Sequence, residues 1–183
     1  MNQIEDERIK FFFEHETRIM EWAELVDEVS EFVDSFYRSL EGDLVRALRN
    51  DNITYSGVEV FLTDGNYSGL GLRREDWPEG DQEPDVRLEW HRKPALFSED
   101  GWLICGVRTN VNDYRVHFTK AARPDYPEAL PWWPSYRYVD PPKDRFWEGD
   151  NLKEYRAYLV KTTLKAWSDL SSLVDEAVGH RSS

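Results

Sequence analysis

The sequence predicts an α+β fold: a central antiparallel sheet of about five strands, flanked by long N- and C-terminal amphipathic helices, with a Pro/Trp-rich loop before the last helix. Three observations carry this reading. Apolar residues recur in steps of three and four at both ends of the chain, short apolar runs in the middle are separated by turn residues, and proline and aromatic residues crowd together ahead of the closing segment.

At the N-terminal end the stripe runs through Phe12, Ile19, Trp22, Val26, Val29, Val33, Phe36, Leu40 and Leu44, with acids such as Glu21, Glu24, Asp27 and Glu28 on the opposite face. That spacing predicts a helix over residues 4–40, resuming to residue 49 after a break at Glu41-Gly42-Asp43. At the C-terminal end Leu152, Tyr155, Leu159, Thr162, Ala166, Leu170, Leu173 and Ala177 repeat the pattern, with Asp150 or Asn151 as the cap and Gly179 as the stop. A helix is not held together by propensity alone, so each stripe is expected to bury itself against the other.

Between them, residues 53–63 and 67–74 flank Asp64-Gly65-Asn66, a hairpin signal. Residues 86–92, 102–109 and 114–119 complete five predicted strands, separated by turns around Ser98 to Gly101 and Asn110 to Asp113. Side-chain parity places Val86, Leu88 and Trp90 on one face and Arg87, Glu89 and His91 on the other. The same parity sets Tyr114, Val116 and Phe118 against Arg115 and His117. Residues 102–109 are apolar on both faces, which predicts a central strand with its second face partly covered. Residues 122–150 hold six of the nine prolines, interleaved with Trp132, Trp133, Tyr136, Tyr138, Phe146 and Trp147. They read as an ordered aromatic loop, because a flexible linker does not carry so much surface of the buried type. The whole is expected to be one domain: a helical arm (1–49), a sheet (53–121), the aromatic loop (122–150) and a closing helix (151–179).

Composition bounds the function. The chain has 183 residues and a formal net charge of −13, with 13 acids against 6 bases in residues 1–50, 13 against 8 in 51–121 and 10 against 9 in 122–183. This field repels a polyanion, so direct nucleic-acid binding is disfavoured. The acidity suits a solvated surface, a high-salt host or mimicry of DNA. One cysteine, Cys105, excludes an intramolecular disulfide and predicts inert packing rather than a nucleophile. No apolar run approaches the ~18 residues of a membrane span and no signal pattern opens the chain, so a cytoplasmic protein without membrane contact is expected.

The chemistry-bearing candidates are few. Glu89 with His91 or His117 would bring a carboxylate beside an imidazole, the pairing used in general acid/base catalysis, while cross-strand ion pairs on a solvated sheet face explain the same residues. Trp132, Trp133, Tyr136 and Tyr138 could stack on a ring or plug the sheet. No metal-ligand spacing, phosphate-binding loop, dinucleotide fingerprint or nucleophile elbow occurs, and neither metal nor cofactor is expected.

The run FYRSLEGDLVRAL, the segment Arg73-Arg74-Glu75-Asp76-Trp77-Pro78, the strands VRLEWHR and WLICGVRT, the block LPWWPSYRYVD and Trp147 ahead of a closing helix have a recognisable order. Over residues 32–178 they resemble an accessory C-terminal region that accompanies uncharacterised members of the PD-(D/E)xK nuclease superfamily. The nuclease spacing fails here, because Glu89 is followed by Trp90 and His91 and the nearest lysine is Lys93. The resemblance implies no activity, since the catalytic segment of such proteins lies upstream of this region. It implies a recognition or interaction module accessory to nucleic-acid defence or processing, with the N-terminal helix as a docking surface for a protein partner or a second copy.

The expected function is therefore non-enzymatic recognition through Arg87, Glu89, His91, Trp132, Trp133, Tyr136 and Tyr138. The alternatives are an acid/base enzyme using Glu89 with His91 or His117, and an acidic decoy or helix-mediated oligomer.

Overall fold

A computed structural model describes residues 6–50, 55–80, 82–91, 103–120, 123–140 and 148–181. In chain order it holds α1 (Glu7–Arg38), α2 (Leu40–Asn50), β1 (Val58–Thr63), β2 (Tyr67–Arg74), β3 (Asp85–His91), β4 (Leu103–Arg108), α3 (Asn112–Lys120), β5 (Glu128–Leu130), β6 (Trp133–Tyr138) and α4 (Asn151–Arg181). The strands form one antiparallel sheet in the order β1-β2-β3-β4-β6-β5, so β3 and β4 are central, as the apolar content of both faces of β4 predicts.

One face of the sheet carries the core. Leu70 and Leu72 of β2, Val86, Leu88 and Trp90 of β3, and Leu103, Cys105 and Val107 of β4 are all buried beneath Leu40 and Leu44 of α2 and Leu159, Ala166, Leu170 and Val174 of α4. Fully burying each such side chain contributes about 1.5–3 kcal/mol, which fixes the strand parity and with it the identity of the opposite face. Several polar side chains inside this layer are hydrogen-bonded. Trp90 donates its indole N–H to Asp34 at 2.8 Å, Trp77 donates to Asp175 at 2.8 Å, and the Tyr37 and Tyr155 hydroxyls meet at 3.1 Å.

The structure corrects several expectations. Residues 114–119 are helical: Tyr114 and Phe118, one turn apart, are buried, whereas Val116 between them is 47% exposed, a pattern that fits period 3.6 and not period 2. The strand position beside β4 is taken instead by β6, drawn from the stretch expected to be loop. The first helix breaks at Ser39 and continues through Gly42. Arg156 of α4 donates to both the Ser39 carbonyl and its hydroxyl at 2.6 Å, and that contact holds the break in place. α4 runs past Gly179 to Arg181. The predicted turn at residues 98–101 and the prolines and aromatics of 141–147 lie outside the described residues.

The two terminal helices were expected to cover each other along their lengths. Only the last turns of α1, from Ser30 onward, and α2 join the core. Upstream, α1 starts at the cap Asp6, whose carboxylate accepts the Arg8 N–H at 2.9 Å, kinks at His15 (φ −125°, ψ 15°), and leaves Phe11, Phe12, Phe13, Trp22, Leu25 and Val26 exposed. No helix among the described residues is long and apolar enough to cross a membrane.

Candidate functional site

The sheet face turned away from the helices carries Asp85, Arg87 and Glu89 of β3, flanked across the ladder by Gly69 and Gly71 of β2 and by Ile104, Gly106 and Arg108 of β4. Solvation of these charges was expected. Arg87 and Glu89 are instead 4% and 6% exposed, and Asp85 is buried with them. The glycines are the physical reason. A Cβ at Gly69 would stand 2.7 Å from the Arg87 Cδ, and one at Gly71 would stand 2.3 Å from the ring of Phe61, so the missing side chains are the space in which the arginine stem and that ring lie. Arg87 also packs its guanidinium against Phe61, 5.7 Å from the ring centroid.

The charges are arranged in a chain. Arg87 donates to both carboxylate oxygens of Asp85, at 3.0 and 2.7 Å, and approaches Glu89 at 3.7 Å. Arg108 reaches Glu89 from the other side at 3.5 Å and lies over the ring of Trp132, 5.3 Å from its centroid. Burial raises the pKa of Glu89; the nearby Arg87 and Arg108 and a hydrogen bond from the Trp133 side chain oppose the rise without cancelling it. Burial likewise lifts Asp85, with Arg87 as its main counterweight.

Above this floor opens a cleft of about 910 Å³. One wall is the β1–β2 hairpin end, with Leu62, Thr63, Asp64, Asn66 and Tyr67; the other is the β5–β6 connection, with Leu130, Pro131, Trp132 and Trp133; Arg87, Glu89, Ile104 and Arg108 form the base. Both walls are anchored. The Thr109 N–H donates to the Trp132 carbonyl at 3.1 Å, tying the aromatic turn to the end of β4. Arg38, at the end of α1, donates to Asp64 at 2.5 Å while gripping Asp34 at 2.7 Å, tying the hairpin end to the helical layer.

Of the residues singled out from the sequence, Arg87, Glu89, Trp132 and Trp133 meet in this cleft. Trp132 stands half exposed at the rim, whereas Trp133 is buried and braces Glu89. Tyr136 and Tyr138 share the β6 face that continues outward: Tyr136 is buried, its ring 6.1 Å from Trp133 and 5.6 Å from the half-exposed Tyr138, and neither lines the cleft. His117 is not part of it. It sits on α3, whose Tyr114 and Phe118 join the core on the helix-covered side of the sheet, so Glu89 and His117 lie on opposite faces. The side chain of His91 lies outside the described residues. Sequence reasoning missed Arg108, Tyr67 and the hairpin residues Thr63 to Asn66. Parity along β4 places Arg108 with Ile104 and Gly106 and could have found it; the hairpin wall has no such signal, because it depends on how far the β1–β2 turn rises over the sheet.

Among the described residues no group of three or more His, Cys, Asp or Glu side chains is placed to hold a metal ion. Comparison of the chain with protein-family models, with curated proteins and with solved structures returned no match.

Proposed function

We propose that this chain is a non-enzymatic recognition module whose site is the cleft on the uncovered sheet face, and that its ligand is a segment of a partner protein presenting an uncharged aromatic or apolar side chain. The observation that carries the reading is the charge-matched base beneath an aromatic rim. Each guanidinium there already faces a carboxylate, Arg87 with Asp85 and Arg108 with Glu89, so a phosphate would have to displace a buried partner and leave it unmatched. The exposed surfaces of Tyr67, Leu130 and Trp132 offer what an apolar side chain needs, and the hydroxyl and amide groups of Thr63 and Asn66 beside them suit hydrogen bonds to a peptide backbone. An accessory role in nucleic-acid defence or processing rests on the resemblance of the motif blocks alone. With a chain charge of −13, contact with nucleic acid in such a role is indirect.

The test is selection from a displayed library of random linear peptides, followed by affinity measurement with the enriched peptides by fluorescence anisotropy. Enriched peptides are expected to share an aromatic or large apolar residue in an uncharged context, and Trp132→Ala, a change at an exposed side chain, is expected to weaken them at least tenfold without lowering the melting temperature. Failure to enrich any peptide, or equal affinity for Trp132→Ala and wild type, overturns the reading.

A further inference from the structure

The sheet ends in two edge strands, β1 and β5, and the sequence treats them differently. β5 is three residues long and its pairing with β6 is irregular, two features that blunt an edge. β1 is six residues, Val-Glu-Val-Phe-Leu-Thr, paired with β2 in unbroken register, and it carries neither the proline, the lysine nor the bulge that would keep another strand away.

The backbone shows which groups on β1 are open. The Gly57 carbonyl accepts the N–H of Glu75 at 2.9 Å, so these two residues are a directly bonded pair of the antiparallel ladder. Alternation from there turns the N–H and C=O of Glu59, Phe61 and Thr63 toward β2, and those of Val60 and Leu62 away from it. Val58 obeys the same parity, since its N–H bonds the Tyr55 carbonyl outside the ladder at 3.2 Å. Among the described residues no backbone group bonds the outward N–H and C=O of Val60 and Leu62. Their side chains pack against the core yet stay half-buried, because the sheet stops at this strand.

Donors and acceptors at every second residue are matched by another extended strand, and β1 itself supplies one that fits. Two symmetric antiparallel registers bring the outward groups of two copies together. Centred on Val60, each Glu59 carboxylate faces the Phe61 ring of the other copy, and the two carboxylates lie about 8 Å apart. Centred on Phe61, each Glu59 faces the Thr63 hydroxyl of the other copy, which can donate to it, and the carboxylates lie about 14 Å apart, beyond the ~10 Å screening length. In that register the two Phe61 rings form a cross-strand aromatic pair, and Val60 and Leu62 exchange both backbone bonds with Leu62 and Val60 of the other copy. Each Glu59 also keeps its own Arg73, at 3.1 Å.

We infer that β1 pairs antiparallel with β1 of a second copy of this chain, Phe61 opposite Phe61. The two sheets become one, with both helical layers on one side and both clefts on the other. The pairing is independent of what the clefts bind.

Light scattering coupled to size exclusion on the full chain, from micromolar to sub-millimolar concentration, is expected to give a mass about twice 21.7 kDa. Val60→Pro deletes an outward donor and leaves the β1–β2 ladder its bonds, so it is expected to melt cooperatively and elute as a monomer. The register is read by cross-linking under mild oxidation, since the native Cys105 is buried. Opposed residues of a non-hydrogen-bonded pair stand about 4.5 Å apart between Cα atoms, within disulfide range, so Phe61→Cys is expected to form a covalent dimer at least tenfold faster than Glu59→Cys. A wild-type monomer at every concentration, whatever peptide the edge then captures, overturns the inference. So does a folded Val60→Pro that remains dimeric, or Glu59→Cys cross-linking as fast as Phe61→Cys.

Discussion

Gly69→Ala probes the base of the cleft where its geometry is tightest. The new Cβ would stand 2.7 Å from Cδ and 3.2 Å from Cγ of Arg87, and 2.9 Å from the Thr63 hydroxyl oxygen. Thr63 can rotate; Arg87 is held by two hydrogen bonds to Asp85 inside a buried layer and can retreat only by loosening them. Overpacking of this kind costs ~1–3 kcal/mol, and the reduced entropy of the unfolded chain returns ~0.4–1 kcal/mol, leaving a net destabilisation of about 1–2 kcal/mol. Urea unfolding followed by tryptophan fluorescence measures it, with the slope unchanged and the midpoint lowered. The control is the same substitution in an Asp85→Asn, Arg87→Ala background, which removes the arginine stem together with the carboxylate it pairs. There the alanine meets little besides a rotatable hydroxyl, and its effect should fall near zero or turn stabilising. A loss below about 0.5 kcal/mol in the wild-type background, or the same loss in both, would refute the claim that the glycine is the space in which Arg87 lies.

Two further outcomes follow from buried groups. Burial alone would raise the pKa of Asp34, but hydrogen bonds from Arg38 and Trp90 outweigh it and hold the carboxyl below its usual 3.8. Its stabilisation is therefore complete above pH 3.8 and is lost as pH falls through the lower folded value. Asp85 and Glu89, raised by burial, run the other way: what they contribute is complete below their usual 3.8 and 4.5 and is lost as pH rises through the raised folded values. Urea midpoints across the acid range should show the stability gap between wild type and Asp34→Asn narrowing as pH drops below 3.8; a gap that is constant with pH contradicts the assignment. Burial also pushes the Cys105 thiol to about 12, so a thiol reagent at neutral pH should modify it only at the rate of global unfolding, and rapid labelling of the native protein would contradict its central position in β4.

The fold was legible where periodicity was long or parity was clean. The stripe of α4 and the alternation of Val86, Leu88 and Trp90 fixed the core, because burial rewards one face of each element and penalises the other. Residues 114–119 misled because Tyr114 and Phe118 satisfy both period 2 and the i, i+4 spacing of a helix, and only the exposure of Val116 separates the two. The strand in WPSYRY was hidden by its proline and by its surroundings, yet it pairs with β4 at four positions. At the site, Arg87 and Glu89 were correctly assigned to one face. Their burial was not foreseen, since it depends on Gly69 and Gly71 of a neighbouring strand and on two walls that rise from distant turns. Both acid/base pairings shared Glu89; with His117 on the far side of the sheet, that version has lost its partner.

The central claim is that the cleft over Arg87 and Glu89 is where this protein recognises its partner. Backbone chemical shifts recorded while a selected peptide is titrated in test it most directly. The account predicts perturbations at Thr63 to Tyr67, at Ile104 to Arg108 and at Leu130 to Trp133. Perturbations centred instead on the more open depression along α4, around Arg156, Val160 and Leu164, with the cleft residues unmoved, would contradict it.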